Sequence, residues 1–273
     1  MKTVREQIYA KATVRLLETK DGYAGVVVSQ GVAATPIYGL DADDVWQQLL
    51  GQVREGKPSF FGYDGAIARF LRAFPEGFAS EAYQRDERNY KLAAATLLNE
   101  VLPLERASTP SADDCVQAAR AYAKTNMLSV YEHARVREVL KSPSGPTFVQ
   151  GAAEVALGDF AGGFHLTAKA MAPFGPLSWP AATYLPFLWR PDAHMFLKPQ
   201  VTCDFAERVG SPFAQHYAPR LEASVYESLL ALVSEVREKV VALGPTDAID
   251  IQSFIWVVGA YSDNDLKTAS RPL

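Results

Sequence analysis

Basic and aromatic residues alternate along residues 61–91, which makes this stretch the first candidate for chemistry. Its aromatic residues are Phe61, Tyr63, Phe70, Phe74, Phe78, Tyr83 and Tyr90. Guanidinium and ammonium groups bind phosphates, and aromatic faces stack on bases. The side chains predicted to contact nucleic acid here are Arg69, Arg72, Arg88 and Lys91. The same spacing fits a second interpretation, in which the aromatics form a helical core and Glu87 and Lys91 form an ion pair on a solvent-exposed face.

A second stretch, 174–210, has the layout turn, apolar helix, loop, polar segment and helix. The turn falls at 175–178, the apolar helix at 181–188 and the polar segment at 198–201. This layout resembles the core of the helix–hairpin–helix DNA glycosylases. In that family, N–H groups of the hairpin bind a DNA phosphate, and an aspartate ahead of the next helix acts at the sugar. Lys198 stands at the position of that aspartate, and Asp204 is the nearest carboxylate downstream.

The resemblance implies roles for three side chains. A lysine amine forms a Schiff base when burial lowers its pKa, so Lys198 is the candidate catalytic amine, with Asp204 in the same cleft. Trp179 stands where the family has a lysine, and we expect it to serve as a wedge against a DNA base. A generic helical bundle with an exposed Lys198 fits the same sequence. Whether the protein is an enzyme therefore stays open at this point.

The motifs of several enzyme classes are absent from the sequence. There is no glycine-rich phosphate loop followed by Lys-Ser/Thr, no GxGxxG, no HExxH, no CxxC and no GxSxG. The four histidines lack metal-ligand spacing, and the two cysteines cannot make a four-cysteine zinc site. We therefore expect no metal and no cofactor.

Charge and hydropathy limit the classes of partner. The chain holds 27 Lys and Arg against 31 Asp and Glu, a net charge of −4. This balance excludes a generally basic coat for nucleic acid but leaves room for a local basic patch. No apolar run reaches the roughly 18–20 residues of a membrane span, and the first residues lack the apolar core of a signal peptide. We expect a cytoplasmic protein with no membrane association.

The elements that position these residues begin with a small β-rich head. Strands are predicted at 11–19, 23–29 and 34–38, with Asp21-Gly22 in the first hairpin turn. Asp41 is predicted to cap a helix whose apolar stripe lies across the strands. That stripe consists of Val45, Trp46, Leu49, Leu50 and Val53. Residues 20–50 resemble the HicB-type antitoxin modules, which implies that the head docks a partner protein.

From residue 59 onward the apolar residues recur with helical spacing. A long helix is predicted to begin at Ser80 and to reach residue 102. A second one, bent near Thr125-Asn126, is predicted over 111–141, with Ser111 and Asp114 as a capping box at its start. Further helices are predicted at 146–157, 159–171, 178–189, 199–209, 219–243 and 250–258. The predicted fold is α+β and predominantly α: a head at 1–56, a helical body at 59–262 and a frayed tail at 263–273. A linker is predicted at 51–58 and a sub-boundary near 142–146.

The C-terminal segment IDIQSFIWVVG, together with MFLKP, resembles uncharacterised bacterial proteins attached to restriction and phage-defence systems. Within it, Asp250 is predicted to cap a helix and Trp256 to lie in the core. Two functions remain open on the sequence. One is a DNA-binding helical protein, glycosylase-like or defence-associated. The other is a non-enzymatic protein-interaction module, such as an antitoxin-like or adaptor subunit.

Overall fold

A computed structural model describes residues 2–9, 12–29, 31–55, 60–262 and 265–266. An antiparallel sheet with one helix comes first, and a series of helices follows. The architecture is α+β and predominantly α, which confirms the predicted fold class. The division into a head at 1–56 and a body at 59–262 stays a prediction. Residues 56–59 and most of the predicted tail lie outside the described residues.

Five strands form the sheet of the head: β1 Lys2–Tyr9, β2 Ala12–Thr19, β3 Gly22–Ser29, β4 Val32–Ala33 and β5 Ile37–Gly39. Strand β2 lies between β1 and β3, and both β4 and β5 pair with β3. Sequence analysis missed β1, because residues 2–8 are all exposed and leave no alternating apolar pattern.

The hairpin predicted around Asp21-Gly22 is present and joins β2 to β3, but its turn lies one residue earlier than predicted. Thr19 pairs with Gly22, so the two loop residues are Lys20 and Asp21. Gly22 begins β3 with φ at 128°, and a Cβ there would lie 2.6 Å from the Gly39 carbonyl oxygen. Glycine is therefore required at position 22 by a close approach between two strands as well as by its φ angle.

Helix α1 (Ala42–Glu55) lies across the sheet. The Asp41 carboxylate accepts hydrogen bonds from the N–H groups of Asp43 and Asp44, each at 2.9 Å, and so caps the helix as predicted. The predicted apolar stripe is buried and packs against Val14, Leu16 and Val27. The helix continues to Glu55, so the linker predicted at 51–58 is wrong for residues 51–55.

Gly25 lies in β3 directly beneath α1. A Cβ at this position would lie 2.2 Å from Leu49 Cδ1, so alanine must displace the Leu49 side chain. We expect Gly25→Ala to destabilise the packing of α1 on the sheet by about 1–3 kcal/mol. Hydrogen–deuterium exchange over residues 42–55 should rise in this variant. Gly51→Ala, where a Cβ meets nothing within 4 Å, is the control. Unchanged protection of α1 in Gly25→Ala would contradict the prediction.

The helical body starts with α2 Gly62–Ala73, α3 Glu81–Tyr83, a π-helical turn Gln84–Arg88, α4 Asn89–Val101, α5 Leu104–Ala107, α6 Ala112–Tyr122 and α7 Val130–Lys141. It continues with α8 Gly145–Ala156, α9 Phe160–Met171, α10 Trp179–Trp189, α11 Pro199–Val209, α12 Phe213–His216, α13 Ala223–Lys239 and α14 Ala248–Ala260. One hydrophobic core joins these helices and is continuous across 142–146, from Ala66 to Leu266. Within the described residues, no helix is long and apolar enough to cross a bilayer.

Three helical predictions need correction. The helix predicted from Ser80 contains the π-helical turn, and the Ser80 side chain makes no capping hydrogen bond. The bend predicted near residue 125 is a complete break, because Ser129 and Glu132 form a capping box that starts α7 anew. Asp247, rather than Asp250, caps α14.

Candidate functional site

A cleft of about 630 Å³ opens on the helical body, within the size range of small-molecule sites. Four segments line it: the π-helical turn with the start of α4, the loop between α6 and α7, the segment before α11, and α14. Its polar lining consists of Asp86, Glu87, Lys91, Lys124, Thr125, Asn126, Lys198 and Gln252. Its aromatic lining consists of Tyr90, Phe196 and Trp256.

The cleft unites the three stretches that the sequence singles out. Lys91 comes from 61–91, Lys198 from 174–210, and Trp256 from the C-terminal segment. Sequence reasoning missed the fourth contributor, the loop 123–127. The signal of this loop in the sequence is the polar run Lys124-Thr125-Asn126, which predicts a bend within a helix. The structure has a helix-to-helix loop there instead.

Lys198 immediately precedes α11 and carries a positive charge into the cleft. Its ammonium donates a hydrogen bond to the Met127 carbonyl oxygen at 3.0 Å. This neutral acceptor holds the amine in place without cancelling its charge. Burial would raise the pKa of Glu132, but hydrogen bonds from Ser178 and Ser129 and the charge of Lys198 outweigh it and lower that pKa.

Lys91 forms part of the floor of the cleft and is only 1% exposed. The predicted pair with Glu87 is present, but the prediction that it lies on a solvent-exposed face is wrong. The Lys91 ammonium donates to Glu87 Oε2 at 2.9 Å and to Ser253 Oγ at 2.8 Å. The Tyr261 hydroxyl donates to the other Glu87 oxygen at 2.8 Å. Burial lowers the pKa of Lys91, and the Glu87 carboxylate opposes that shift. Lys91 is therefore a buried structural cation, which corrects its predicted contact with phosphate.

Arg88 lies in a buried network beside the cleft. Its guanidinium donates to the two Asp247 oxygens at 2.9 and 2.7 Å and to Asp250 Oδ1 at 2.6 Å. The Tyr83 hydroxyl donates to the same Asp250 oxygen at 2.5 Å. The bond with Asp247 is the largest cause of a raised pKa for Arg88. Since the side chain is only 12% exposed and both of its terminal nitrogens donate to Asp247 or Asp250, Arg88 anchors the π-helical turn to α14 instead of contacting a phosphate.

The other predicted contact residues of the helical body do not line the cleft. Arg69 donates to the carbonyl oxygens of Val258 and Tyr261 at the end of α14. Arg72 is exposed on the last turn of α2. Trp179 is 1% exposed and donates its Nε1–H to the Ala218 carbonyl oxygen at 2.8 Å. The wedge role predicted for Trp179 is corrected, because the indole is enclosed in the core.

Asp204 does not join Lys198 in the cleft. Its two carboxylate oxygens each lie 3.0 Å from Gln200 Nε2, one turn earlier on α11. The catalytic pair predicted from the glycosylase resemblance is therefore not assembled. Across the described ranges, no cluster of three His, Cys, Asp or Glu side chains could hold a metal ion.

Helix α14 presents Gln252 and Trp256 to the cleft, four residues apart on one face. Gln252 is 5% exposed, and its Oε1 accepts no hydrogen bond from any described atom. Trp256, predicted to lie in the core, is instead partly exposed in the wall of the cleft. A buried acceptor without a donor costs about 1–3 kcal/mol, so Gln252 is an unusual residue to find in this wall.

Comparisons of the chain with family models, curated proteins and solved structures found no match. The resemblances to glycosylases, antitoxin modules and defence-associated proteins therefore stay predictions.

The ligand that the cleft could bind is inferred from the side chains that line it. Asp86 pairs with Arg85 and Glu87 pairs with Lys91. Within the described residues Lys124 and Lys198 form no direct ion pair, although the charge of Lys198 also acts on Glu132, which does not line the cleft. Such a cleft suits a planar ligand that carries negative charge.

Proposed function

We propose that this protein binds nucleic acid and that the cleft receives one nucleotide of a DNA strand. The observation that supports the proposal is the presence of Lys198 and Lys124 beside Tyr90 and Trp256 in one cleft. Ammonium groups pair with phosphate oxygens, and aromatic side chains stack on base faces without regard to sequence. A nucleotide combines the two features that this lining complements.

The local charge favours this ligand despite the acidic balance of the whole chain. Among the described residues, no carboxylate lies within ion-pair distance of Lys198 or Lys124, and Lys124 is exposed. The negative side chains of the lining are each paired with a cation, at 2.6 Å for Asp86 and 2.9 Å for Glu87. A strand phosphate would therefore meet net positive charge here.

The proposal concerns binding and includes no bond cleavage. Glycosylase-type chemistry would need the Lys198 amine and a carboxylate together at the reacting sugar. Asp204 accepts hydrogen bonds from Gln200 instead, and Glu87 is already bonded to Lys91 and Tyr261. The arrangement thus supports a site that holds a nucleotide.

We expect Lys198→Glu to weaken the binding of labelled single-stranded DNA by about tenfold or more, because one phosphate contact becomes a repulsion. The slope of the logarithm of the binding constant against the logarithm of the salt concentration should become less steep by about 0.7. This is the contribution of one neutralised phosphate in a single strand. Fluorescence anisotropy between about 50 and 200 mM salt measures both quantities. Duplex and abasic-site DNA are titrated in parallel.

Lys239→Glu is the matched control, because Lys239 is exposed on the last turn of α13 and does not line the cleft. It changes the net charge by the same amount as Lys198→Glu. Equal weakening by the two variants would show that only overall charge matters. Absence of salt-sensitive binding by the natural chain would reject the proposed function.

A protein-interaction role is the second candidate, and the head favours it. Strand β1 is an edge of the sheet, and residues 2–8 are all exposed. Val4 and Ile8 are 49% and 76% exposed. Unpaired strand edges are common sites of pairing with another chain. If DNA does not bind at low salt, recovery of a stable complex that requires the head would support this alternative.

A further inference from the structure

We infer that Gln252 recognises the base of the bound nucleotide, pairing its amide with the hydrogen-bonding edge of a base that stacks on Trp256. The inference rests on the proposed function and adds a specificity-determining residue to it. It begins from a different observation, the unpartnered amide of Gln252, and not from the lysines that would hold phosphate.

The Gln252 amide is exceptional among the buried polar groups around it. It makes no hydrogen bond to any described residue, although the side chain is 95% buried. Its polar neighbours on α14 have hydrogen-bond partners. The Asp250 carboxylate accepts hydrogen bonds from Tyr83, Arg88 and Thr246. The Ser253 hydroxyl accepts one from Lys91 and donates one to the Ile249 carbonyl oxygen. Buried polar groups are almost always paired, so a lone exception in a cleft wall points to a partner supplied from outside.

The chemistry of the amide identifies which part of a nucleotide would pair with it. A carboxamide offers one donor and one acceptor side by side, as the edges of bases do. A phosphate diester carries no donor, and the sugar hydroxyls inside a DNA strand are esterified. Among the parts of an internal nucleotide, only the base can therefore give Gln252 Oε1 the hydrogen bond that it lacks.

The position of Gln252 fits this role. It lies one helical turn before Trp256, on the same face of α14, at an axial separation of about 6 Å. Long side chains on a helix generally lean toward its N-terminus, and for Trp256 this is the direction of Gln252. A base stacked on that indole would present its edge to the amide.

The test compares two single-stranded oligonucleotides of equal length. One consists of thymidine residues, and in the other every nucleotide is a tetrahydrofuran abasic residue, so the phosphates match and only the bases differ. We expect the natural chain to prefer the thymidine strand. In Gln252→Met this preference should fall by about tenfold, the effect of one buried hydrogen bond, while affinity for the abasic strand stays unchanged.

Gln215→Met is the matched control, because Gln215 also has a buried Oε1 without a partner and lies on α12, outside the lining of the cleft. It should keep the full preference for the thymidine strand. A second readout is the denaturation midpoint. Gln252→Met should unfold at the same or a higher denaturant concentration, since it removes an unsatisfied acceptor. A purely structural role for Gln252 would lower that midpoint. Should Gln252→Met fail to fold, Gln252→Leu provides the same comparison.

The outcomes separate the two proposals. If neither oligonucleotide binds the natural chain, the proposed function fails, and the role of Gln252 fails with it. If both strands bind with equal affinity and strong salt dependence, the protein binds only the backbone, and the role of Gln252 is rejected alone. A preference for the thymidine strand that survives in Gln252→Met would likewise reject it, and would assign base recognition to stacking.

Discussion

Replacement of Arg88 by methionine is expected to lower the free energy of unfolding by about 3–5 kcal/mol. The variant retains an unbranched side chain but removes the guanidinium that bonds Asp247 and Asp250 at 2.6–2.9 Å. Asp250 is 1% exposed, so its charge would remain buried with only the hydrogen bonds from Tyr83 and Thr246. Urea denaturation followed by far-ultraviolet circular dichroism measures the loss.

Arg85→Met is the matched control for Arg88→Met, because Arg85 belongs to the same π-helical turn. The Arg85 guanidinium pairs with the neighbouring Asp86, and its side chain is 51% exposed. Solvent screens such a pair, so we expect little change in the unfolding midpoint. If the two variants lost similar stability, the assignment of Arg88 as the anchor between this turn and α14 would be wrong.

Lys91→Met is expected to cause a loss of about 3–5 kcal/mol, because it leaves the Glu87 carboxylate buried without its cation. Glu87 is 4% exposed and would retain only the hydrogen bond from the Tyr261 hydroxyl. The double variant Glu87→Gln/Lys91→Met removes both charges and retains an acceptor for that hydroxyl. It should recover most of the lost stability, because replacing a whole buried pair costs far less than breaking it.

Denaturation of the four proteins of this cycle gives the coupling energy between Glu87 and Lys91. A double variant as unstable as Lys91→Met would show that the amine matters through Ser253, its other partner at 2.8 Å, and not through the carboxylate. A stable Lys91→Met would show that Glu87 becomes protonated at little cost. Either result would show that the buried Glu87–Lys91 ion pair is not what holds the floor of the cleft in place.

The two charged networks explain why a π-helical turn persists at this place. A π-helical turn holds more residues than a regular one, and such turns recur at functional sites. Here the turn and the start of α4 bring Glu87, Arg88 and Lys91 into contact with α14 and the residues that flank it. These contacts are made at Asp247, Asp250, Ser253 and Tyr261. Fully bonded buried networks hold side chains in one arrangement. The floor of the cleft is thereby held against the helix that carries Gln252 and Trp256.

Short-range features of the molecule could be read from the sequence alone. Asp41 caps α1, Ser111 and Asp114 form a capping box at α6, and the stripe from Val45 to Val53 is buried. The α+β class followed from the same signals. Each of them arises between residues no more than about four positions apart, or from one amphipathic face, so neighbouring residues contain the whole signal.

The tertiary structure decided which charged and aromatic side chains remain available to a ligand. Arg88 and Asp247 are 159 positions apart in the sequence, and Lys91 and Ser253 are 162 apart. No periodic pattern of residues predicts contacts between such distant positions. For that reason the basic stretch 61–91 resembles a phosphate-binding surface in the sequence. In the structure Lys91 is buried, and Arg88, with a side chain 12% exposed, is paired with two carboxylates. Trp179 and Trp256 have the same side chain, yet one is enclosed and the other lines the cleft. Burial depends on which distant helices pack around a residue, and that packing is a property of the whole chain.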